Sequence, residues 1–136
     1  MDSTAPMDKS KIWLRFAGFF VGLAVFLWLP GEESSEIGAV VIAALICTWL
    51  AAMLFFKISP GDKNLFLKHI FIGIGYGLLI APMGIFLMAM KTGLHGNGIP
   101  DFTIHQLQSV LSRMPYYLVA GFMLGAGIGL LRSKIL

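Results

Sequence analysis

The sequence predicts an all-α membrane protein: four transmembrane helices in an antiparallel bundle, plus a short amphipathic exterior helix between helices three and four. Three observations support this fold class. The chain has 136 residues, of which 57% are hydrophobic and only 12% are charged, with a mean hydropathy of +0.84. Its apolar residues are gathered into four long blocks, as membrane-spanning helices require. These blocks lack the strict apolar and polar alternation of a membrane β-barrel wall, which argues against the all-β alternative.

The first three apolar blocks predict transmembrane helices at about 12–30, 37–57 and 70–90. A helix rises about 1.5 Å per residue, so roughly 20 residues cross the hydrocarbon core of a bilayer. Each of these blocks meets that length. The first block offers no small-residue cleavage site, so we interpret it as an uncleaved anchor and not as a signal peptide.

The fourth block is shorter and predicts a transmembrane helix at about 115–132. Because its apolar core is short for a membrane span, we expect the first turn to begin earlier, near Met114. Tyr116 and Tyr117 would then lie in the aromatic belt at the membrane interface. The loops between the blocks are short, so neighbouring helices are expected to run antiparallel, and residues 1–136 are expected to form a single integral membrane domain.

A polar segment at residues 91–115 separates the third block from the fourth. Its first part, "GLHGNGIP", is rich in glycine and predicts a turn instead of regular helix. Its second part contains Thr103 followed by Gln106, which fits a capping box and predicts an amphipathic helix at about 103–114. We interpret this helix as lying on the outer leaflet or capping the bundle. Its apolar arc comprises Ile104, Leu107, Val110, Leu111 and Met114.

Basic residues are distributed unevenly between the two sides that this topology creates. Eight of the ten lysines and arginines fall on the side that holds both termini and the loop between helices two and three. The opposite side keeps only Lys91 and Arg113. By the positive-inside rule, the N- and C-termini are therefore cytoplasmic and residues 91–115 are exterior. In a bacterial cell this describes a multi-pass protein of the inner membrane.

Glycines recur at helical spacing within the apolar blocks. Small residues four positions apart let helix backbones approach closely, which favours helix association in lipid. This spacing predicts a tight pairing of helices three and four, and the same faces are also suited to a partner chain. The candidate packing glycines are Gly18, Gly22, Gly73, Gly77, Gly121, Gly125 and Gly129.

The sequence offers no strong motif for catalysis, cofactor binding or metal binding. The apolar cores of helices two to four contain no Asp, Glu, His, Lys or Arg, which argues against a relay for protons or ions. The single cysteine, Cys47, lies in the middle of helix two and is interpreted as a packing residue. No glycine-rich phosphate cradle appears, and no basic face interleaved with aromatic residues indicates nucleic-acid binding. We therefore predict that the protein is not an enzyme and uses no cofactor.

The histidines of the exterior segment allow two interpretations. His95, Asp101 and His105 are chemically suitable ligands for zinc or another transition metal, but their spacing matches no strong metal motif. A docking surface for another protein is favoured, because exposed loops often carry function. The candidate partner-contact residues are His95, Asp101, His105, Ser109 and Ser112.

These observations predict a non-enzymatic accessory or assembly protein that acts through its helix faces and its exterior 91–115 loop in a larger membrane complex. Its expected partners are the lipid bilayer and either other membrane protein subunits or further copies of itself, with no nucleic acid. The alternative, from a different class, is a small oligomeric carrier for a neutral or lipophilic substrate. Stable association with a different membrane protein would favour the accessory role, and a homodimer with a central cavity would favour the carrier.

Overall fold

The computed structural model describes residues 9–31, 35–59, 61–96 and 101–134, and these form helices joined by turns, with no strand among them. Four stretches are long and apolar enough to cross a membrane: Lys11–Trp28, Glu36–Lys57, Leu65–His95 and Ile104–Ser133. The all-helical part of the predicted fold class is therefore confirmed. The helices in chain order are α1 (Lys9–Trp28), α2 (Glu36–Lys57), α3 (Leu65–His95), α4 (Ile104–Ser112) and α5 (Met114–Lys134).

Helix α3 is longer than the sequence predicted. It begins at Leu65 instead of near residue 70 and ends at His95 instead of near residue 90. The expectation that glycine would prevent helix in this region was wrong at Gly93, because one glycine inside a helix costs only about 1 kcal/mol relative to alanine. The helix ends where Gly96 adopts a left-handed conformation with a φ of 60°, which glycine adopts without strain. The rest of the predicted glycine-rich turn, residues 97–100, lies outside the described residues.

Helices α4 and α5 begin close to where the sequence predicted. The Thr103 side chain accepts a hydrogen bond from the Gln106 backbone N–H at 3.3 Å, and the Gln106 side chain accepts one from the Thr103 N–H at 2.8 Å. This is the predicted capping box. Helix α5 starts at Met114 and has Pro115 in its first turn, where a missing N–H is tolerated. Only a turn at Arg113 separates the two helices.

Helices α3 and α5 meet through glycines, and we call this contact the glycine seam: Gly73, Gly77, Gly121 and Gly125. All four are buried. A Cβ added at Gly73 would lie 2.8 Å from the Gly125 Cα, and one added at Gly77 would lie 2.8 Å from the Leu118 Cα. Because these neighbours are backbone atoms, the two helices touch directly and leave no space for a side chain. Gly129 lies just beyond the seam, where a Cβ would lie 2.9 Å from the Phe66 ring.

Helix α2 packs against α3 through small and aliphatic side chains. Ala39 and Ala81 belong to one buried cluster, and Ala43 and Leu87 belong to a second. Cys47 of α2 is also buried, with 1% of its surface exposed. These contacts place α3 between α2 and α5 in the helix packing.

Helix α1 lies at the periphery, and none of the residues 11–28 is buried. It contacts α2 through Gly18, whose Cβ position lies 2.7 Å from the Trp49 ring. The Trp49 indole N–H also donates a hydrogen bond to the Leu14 carbonyl at 3.0 Å. No atom of the described residues lies within 4 Å of a Cβ placed at Gly22. The predicted packing role of Gly22 is thus not found within the described chain.

The loop that leads into α3 is held by Asp62. Lys68 forms an ion pair with the Asp62 carboxylate, and the Asn64 backbone N–H donates to it at 3.2 Å. The hydrogen bond from Lys68, and after it the one from Asn64, lowers the pKa of Asp62 below its ordinary value. This ion pair ties the loop to the first turn of α3.

Candidate functional site

Helix α4 lies against one end of α2 and α3, and we call residues 101–113 the cap. Phe102 is 4% exposed and Val110 is fully buried. Both belong to the apolar cluster that contains Ala39 of α2 and Met88 of α3. The cap is therefore packed onto the long helices by apolar contacts.

An ion pair fastens the cap to the first turn of α2. Arg113 Nη2 donates to Glu36 Oε1 at 2.9 Å, and the Ser109 hydroxyl donates to the same oxygen at 3.0 Å. Arg113 Nη2 also donates to Ser109 Oγ at 3.0 Å. Glu36 is the first residue of α2, where the helix dipole favours a negative charge. Ser109, predicted as a partner contact, is half-buried and already bonded within the chain.

The predicted apolar face of α4 is divided into two edges. Val110 is buried, and Leu107 packs against the same cluster. Ile104 is 75% exposed and Leu111 is 51% exposed. These two residues are about two helical turns apart and therefore share one side of α4. The cap buries one edge of its apolar face and leaves the other edge without a partner among the described residues.

Two of the predicted contact residues, His105 and Ser112, are exposed on the cap. The Ser112 hydroxyl donates to the Ser109 carbonyl at 2.9 Å, within the helix. These two side chains lie on the same short helix as Ile104 and Leu111. The outward surface of the cap therefore combines polar groups with exposed aliphatic groups.

The remaining two predicted contact residues, His95 and Asp101, bind each other. His95 Nδ1 lies 2.7 Å from Asp101 Oδ2, and their side chains are 27% and 23% exposed. This pair ties the end of α3 to the beginning of the cap. His105 does not join them, since the described part of the chain brings no three His, Cys, Asp or Glu side chains together in a way that could hold a metal ion. The three-ligand metal site considered from the sequence is therefore not assembled.

Lys91 is a buried cation, although the sequence predicted that it belongs to the exterior segment 91–115. It lies in α3 and is 1% exposed. Its Nζ donates to the Trp28 carbonyl at 3.4 Å and lies 4.3 Å from the centroid of the Trp28 ring. The carbonyls at the end of a helix lack partners within that helix, and the helix dipole is negative there. The ammonium group therefore binds the end of α1 and also faces an aromatic ring, which attracts cations.

A second buried polar group lies near the end of α2 and the start of α3, and the sequence analysis missed it. His69 is fully buried and stacks on Phe55, with ring centroids 5.3 Å apart. Its Nδ1 lies 2.6 Å from the Leu65 carbonyl, and its Nε2 faces Arg132 Nη1 at 3.5 Å. A carbonyl only accepts and a guanidinium only donates, so these contacts fit a tautomer in which Nδ1 donates and Nε2 accepts. Arg132 Nη1 also donates to the Phe55 carbonyl at 2.8 Å.

Helical spacing contains a signal that could have revealed this cluster. His69 lies four residues before Gly73, and Arg132 lies three residues after Gly129. Residues three or four apart occupy the same face of a helix, so both polar side chains belong to the glycine-bearing faces of α3 and α5.

Three polar contacts hold the helices together at the cap end of the molecule. Lys91 binds the end of α1, Arg113 binds Glu36 of α2, and His95 binds Asp101. These contacts connect three long helices to one another and to the cap. No protein family, no curated protein and no solved structure matches this chain.

Proposed function

We propose that this protein is a non-enzymatic accessory or assembly subunit of a membrane complex, and that it binds a neighbouring membrane protein through the cap. The observation that carries the proposal is the divided apolar face of α4. Ile104 and Leu111 are exposed on a helix whose other edge is packed against α2 and α3. A surface that is already ordered loses little conformational entropy on binding, which favours recognition of one specific partner.

The composition of this surface supports a protein partner. Ile104 and Leu111 supply apolar area, while His105 and Ser112 supply exposed polar groups beside it. An apolar centre with polar neighbours is typical of protein interfaces. The ion pair between Glu36 and Arg113 holds the surface in one orientation, because it links the end of α4 to α2.

We place the four long helices across a membrane in alternating, antiparallel order. Two sets of contacts support this order. Phe55 near the end of α2 stacks on His69 near the start of α3. Along the glycine seam, Gly73 lies against Gly125 and Gly77 lies against Leu118, so the numbering increases in opposite directions along α3 and α5.

We place the cap on the exterior side and both termini in the cytoplasm, which makes this an inner-membrane protein in a bacterial cell. The support comes from the positive charges. On the cap side, Lys91 and Arg113 are both engaged by groups of the protein. On the other side, Lys11, Arg15 and Lys57 are exposed. Exposed cations next to a membrane span favour the cytoplasmic leaflet, where the headgroups are anionic.

One labelling experiment tests both the surface and the orientation. A His105→Cys variant in intact cells is treated from outside with a membrane-impermeant maleimide that carries a benzophenone. Cys47 is only 1% exposed, so the native cysteine contributes little background. Lys63→Cys, at an exposed position in the loop between α2 and α3, is the matched control. We expect labelling at position 105 in intact cells and labelling at position 63 only after the membrane is opened.

Irradiation then crosslinks the labelled cap to whatever lies against it. Capture of one different membrane protein, lost when Ile104 and Leu111 are both replaced by serine, would support the docking role. Capture of lipid alone would contradict it. A crosslinked dimer of this chain would instead favour the oligomeric carrier for a neutral or lipophilic substrate. Labelling at position 63 and not at position 105 would invert the proposed orientation.

A further inference from the structure

The contact between α1 and α2 contains a cavity with cationic and apolar walls. The cavity measures about 260 Å³. Among the described residues, three cations line it and no acidic side chain does. The cations are Lys11, Arg15 and Lys57, and the other lining residues are Leu14, Trp49, Met53 and Phe56.

An apolar groove adjoins this cavity on the same two helices. It measures about 550 Å³ and shares Leu14, Trp49 and Phe56 with the cavity. The described residues that line the groove are uncharged, and they include the small residues Ala17 and Ala52. The cavity and the groove therefore form one elongated site that is cationic at one end and hydrocarbon-like along its length.

The three cations are not neutralised within the described part of the chain, where the ion pairs involve Lys68, His95 and Arg113 instead. Lys11 and Arg15 are four residues apart and lie on one side of α1. Lys57 is the last residue of α2. Positive charges gathered around one cavity repel each other, so an anion bound among them would be favoured.

We propose that this site binds an anionic phospholipid, with its phosphate among Lys11, Arg15 and Lys57 and one acyl chain in the apolar groove. Guanidinium and ammonium groups form strong, charge-assisted hydrogen bonds with phosphate oxygens. The hydrogen bond from the Trp49 indole to the Leu14 carbonyl joins two residues that line both parts of the site. The inference rests on the proposed membrane placement, but it goes beyond the docking role of the cap.

Native mass spectrometry of the delipidated full chain in detergent tests this site. The protein is titrated with dioleoyl phosphatidylglycerol, with dioleoyl phosphatidylcholine and, separately, with inorganic phosphate. We expect one tightly bound phosphatidylglycerol, weaker binding of phosphatidylcholine, and no displacement of the lipid by phosphate at equal concentration. Equal affinity for the two lipids would overturn the charged site, and displacement by phosphate would overturn the role of the acyl chain.

A matched pair of variants separates this site from general surface charge. Arg15→Gln/Lys57→Gln is expected to weaken phosphatidylglycerol binding about 30-fold, or about fivefold for each cation removed. Lys63→Glu lowers the net charge by the same amount at an exposed loop position outside the cavity, and it is expected to stay within about twofold of the wild type. An equal loss in both variants would overturn the proposal.

A third variant tests the apolar groove. Ala52→Phe fills part of the groove and is expected to weaken phosphatidylglycerol binding about tenfold, with circular dichroism confirming unchanged helix content. Unchanged lipid affinity would exclude the groove as the place of the acyl chain. The crosslink from position 105 is expected to persist in all of these variants, so the docking role and the lipid site can fail separately.

Discussion

Helices α3 and α5 meet through their backbones, whereas α1 and α2 meet around the Trp49 ring. At the glycine seam, the place of a Cβ at Gly73 is already taken by backbone atoms of α5. At the α1–α2 contact, the place of a Cβ at Gly18 is taken by the Trp49 ring, and a cavity and an open groove lie beside this ring. Direct backbone contact closes the first interface, while a large side chain keeps the second one open.

Glycine therefore serves two purposes in this chain. In the glycine seam it lets two helices touch, and at Gly18 it accommodates an aromatic ring that acts as a spacer. A side chain can move when it is crowded, but two packed backbones can separate only if the helices themselves shift. Replacing single glycines with alanine therefore measures how rigid each contact is.

Gly73→Ala is expected to have the largest effect. Its Cβ would lie 2.8 Å from the Gly125 Cα, so α3 and α5 would have to separate. Overpacking of this kind costs about 3 kcal/mol, which lowers the unfolding midpoint by roughly 10 °C in a chain of this size. Thermal unfolding in detergent, followed by circular dichroism, measures this change.

Gly75→Ala is the matched control on the same helix. Within the part of the chain that the structure describes, no atom lies within 4 Å of a Cβ at Gly75. The alanine is expected to leave stability unchanged or to raise it by up to about 1 kcal/mol, since alanine favours helix over glycine. Equal midpoints for Gly73→Ala and Gly75→Ala would contradict a backbone contact at the glycine seam.

Gly18→Ala is expected to lower the free energy of unfolding by about 1 kcal/mol, an intermediate effect. The Trp49 ring can shift away from the added methyl group. A double-mutant cycle with Trp49→Leu isolates this cause. Once the ring is removed, adding Gly18→Ala should cost nothing further. A persistent cost in the double variant, measured by the same unfolding experiment, would show that the helix backbones also collide at this position.

Gly22→Ala is expected to have the smallest effect. Its Cβ would meet no described atom, so the free energy of unfolding should stay unchanged or rise by up to about 1 kcal/mol. The unfolding midpoint is measured both in detergent and in native membranes. A loss of stability that appears only in native membranes would mean that a second chain covers this face of α1. That result would support the predicted packing role of Gly22, as a contact between two chains.

The helices could be predicted because length and hydropathy are properties of each segment by itself. The capping box at Thr103 and Gln106 is equally local, since its two residues lie within one helical turn. The ends of α3 were harder to predict. Its extension to His95 depends on Gly96, whose left-handed conformation shows only in the folded backbone. The burial of Lys91 requires a second helix that the local pattern does not specify.

The candidate site could be predicted only in part, because contacts between different helices also determine it. The segment 91–115 was identified because it is polar between apolar blocks. The bond from Ser109 to Glu36 joins residues 73 positions apart, and no local pattern encodes it. Amphipathic spacing placed Leu111 and Val110 on one apolar face of α4. Tertiary contacts decide that Val110 is buried and Leu111 is exposed.

The buried contact between His69 and Arg132 has a consequence for how the molecule is assembled. Arg132 belongs to α5, whereas the Phe55 carbonyl and the His69 ring belong to helices that precede it in the chain. During synthesis α2 and α3 emerge first, so His69 Nε2 has no guanidinium to face until α5 arrives. The last helix therefore supplies both the missing half of the glycine seam and the missing donor for a buried imidazole. A chain that lacks α5 would therefore have an incomplete set of contacts around the buried His69 ring.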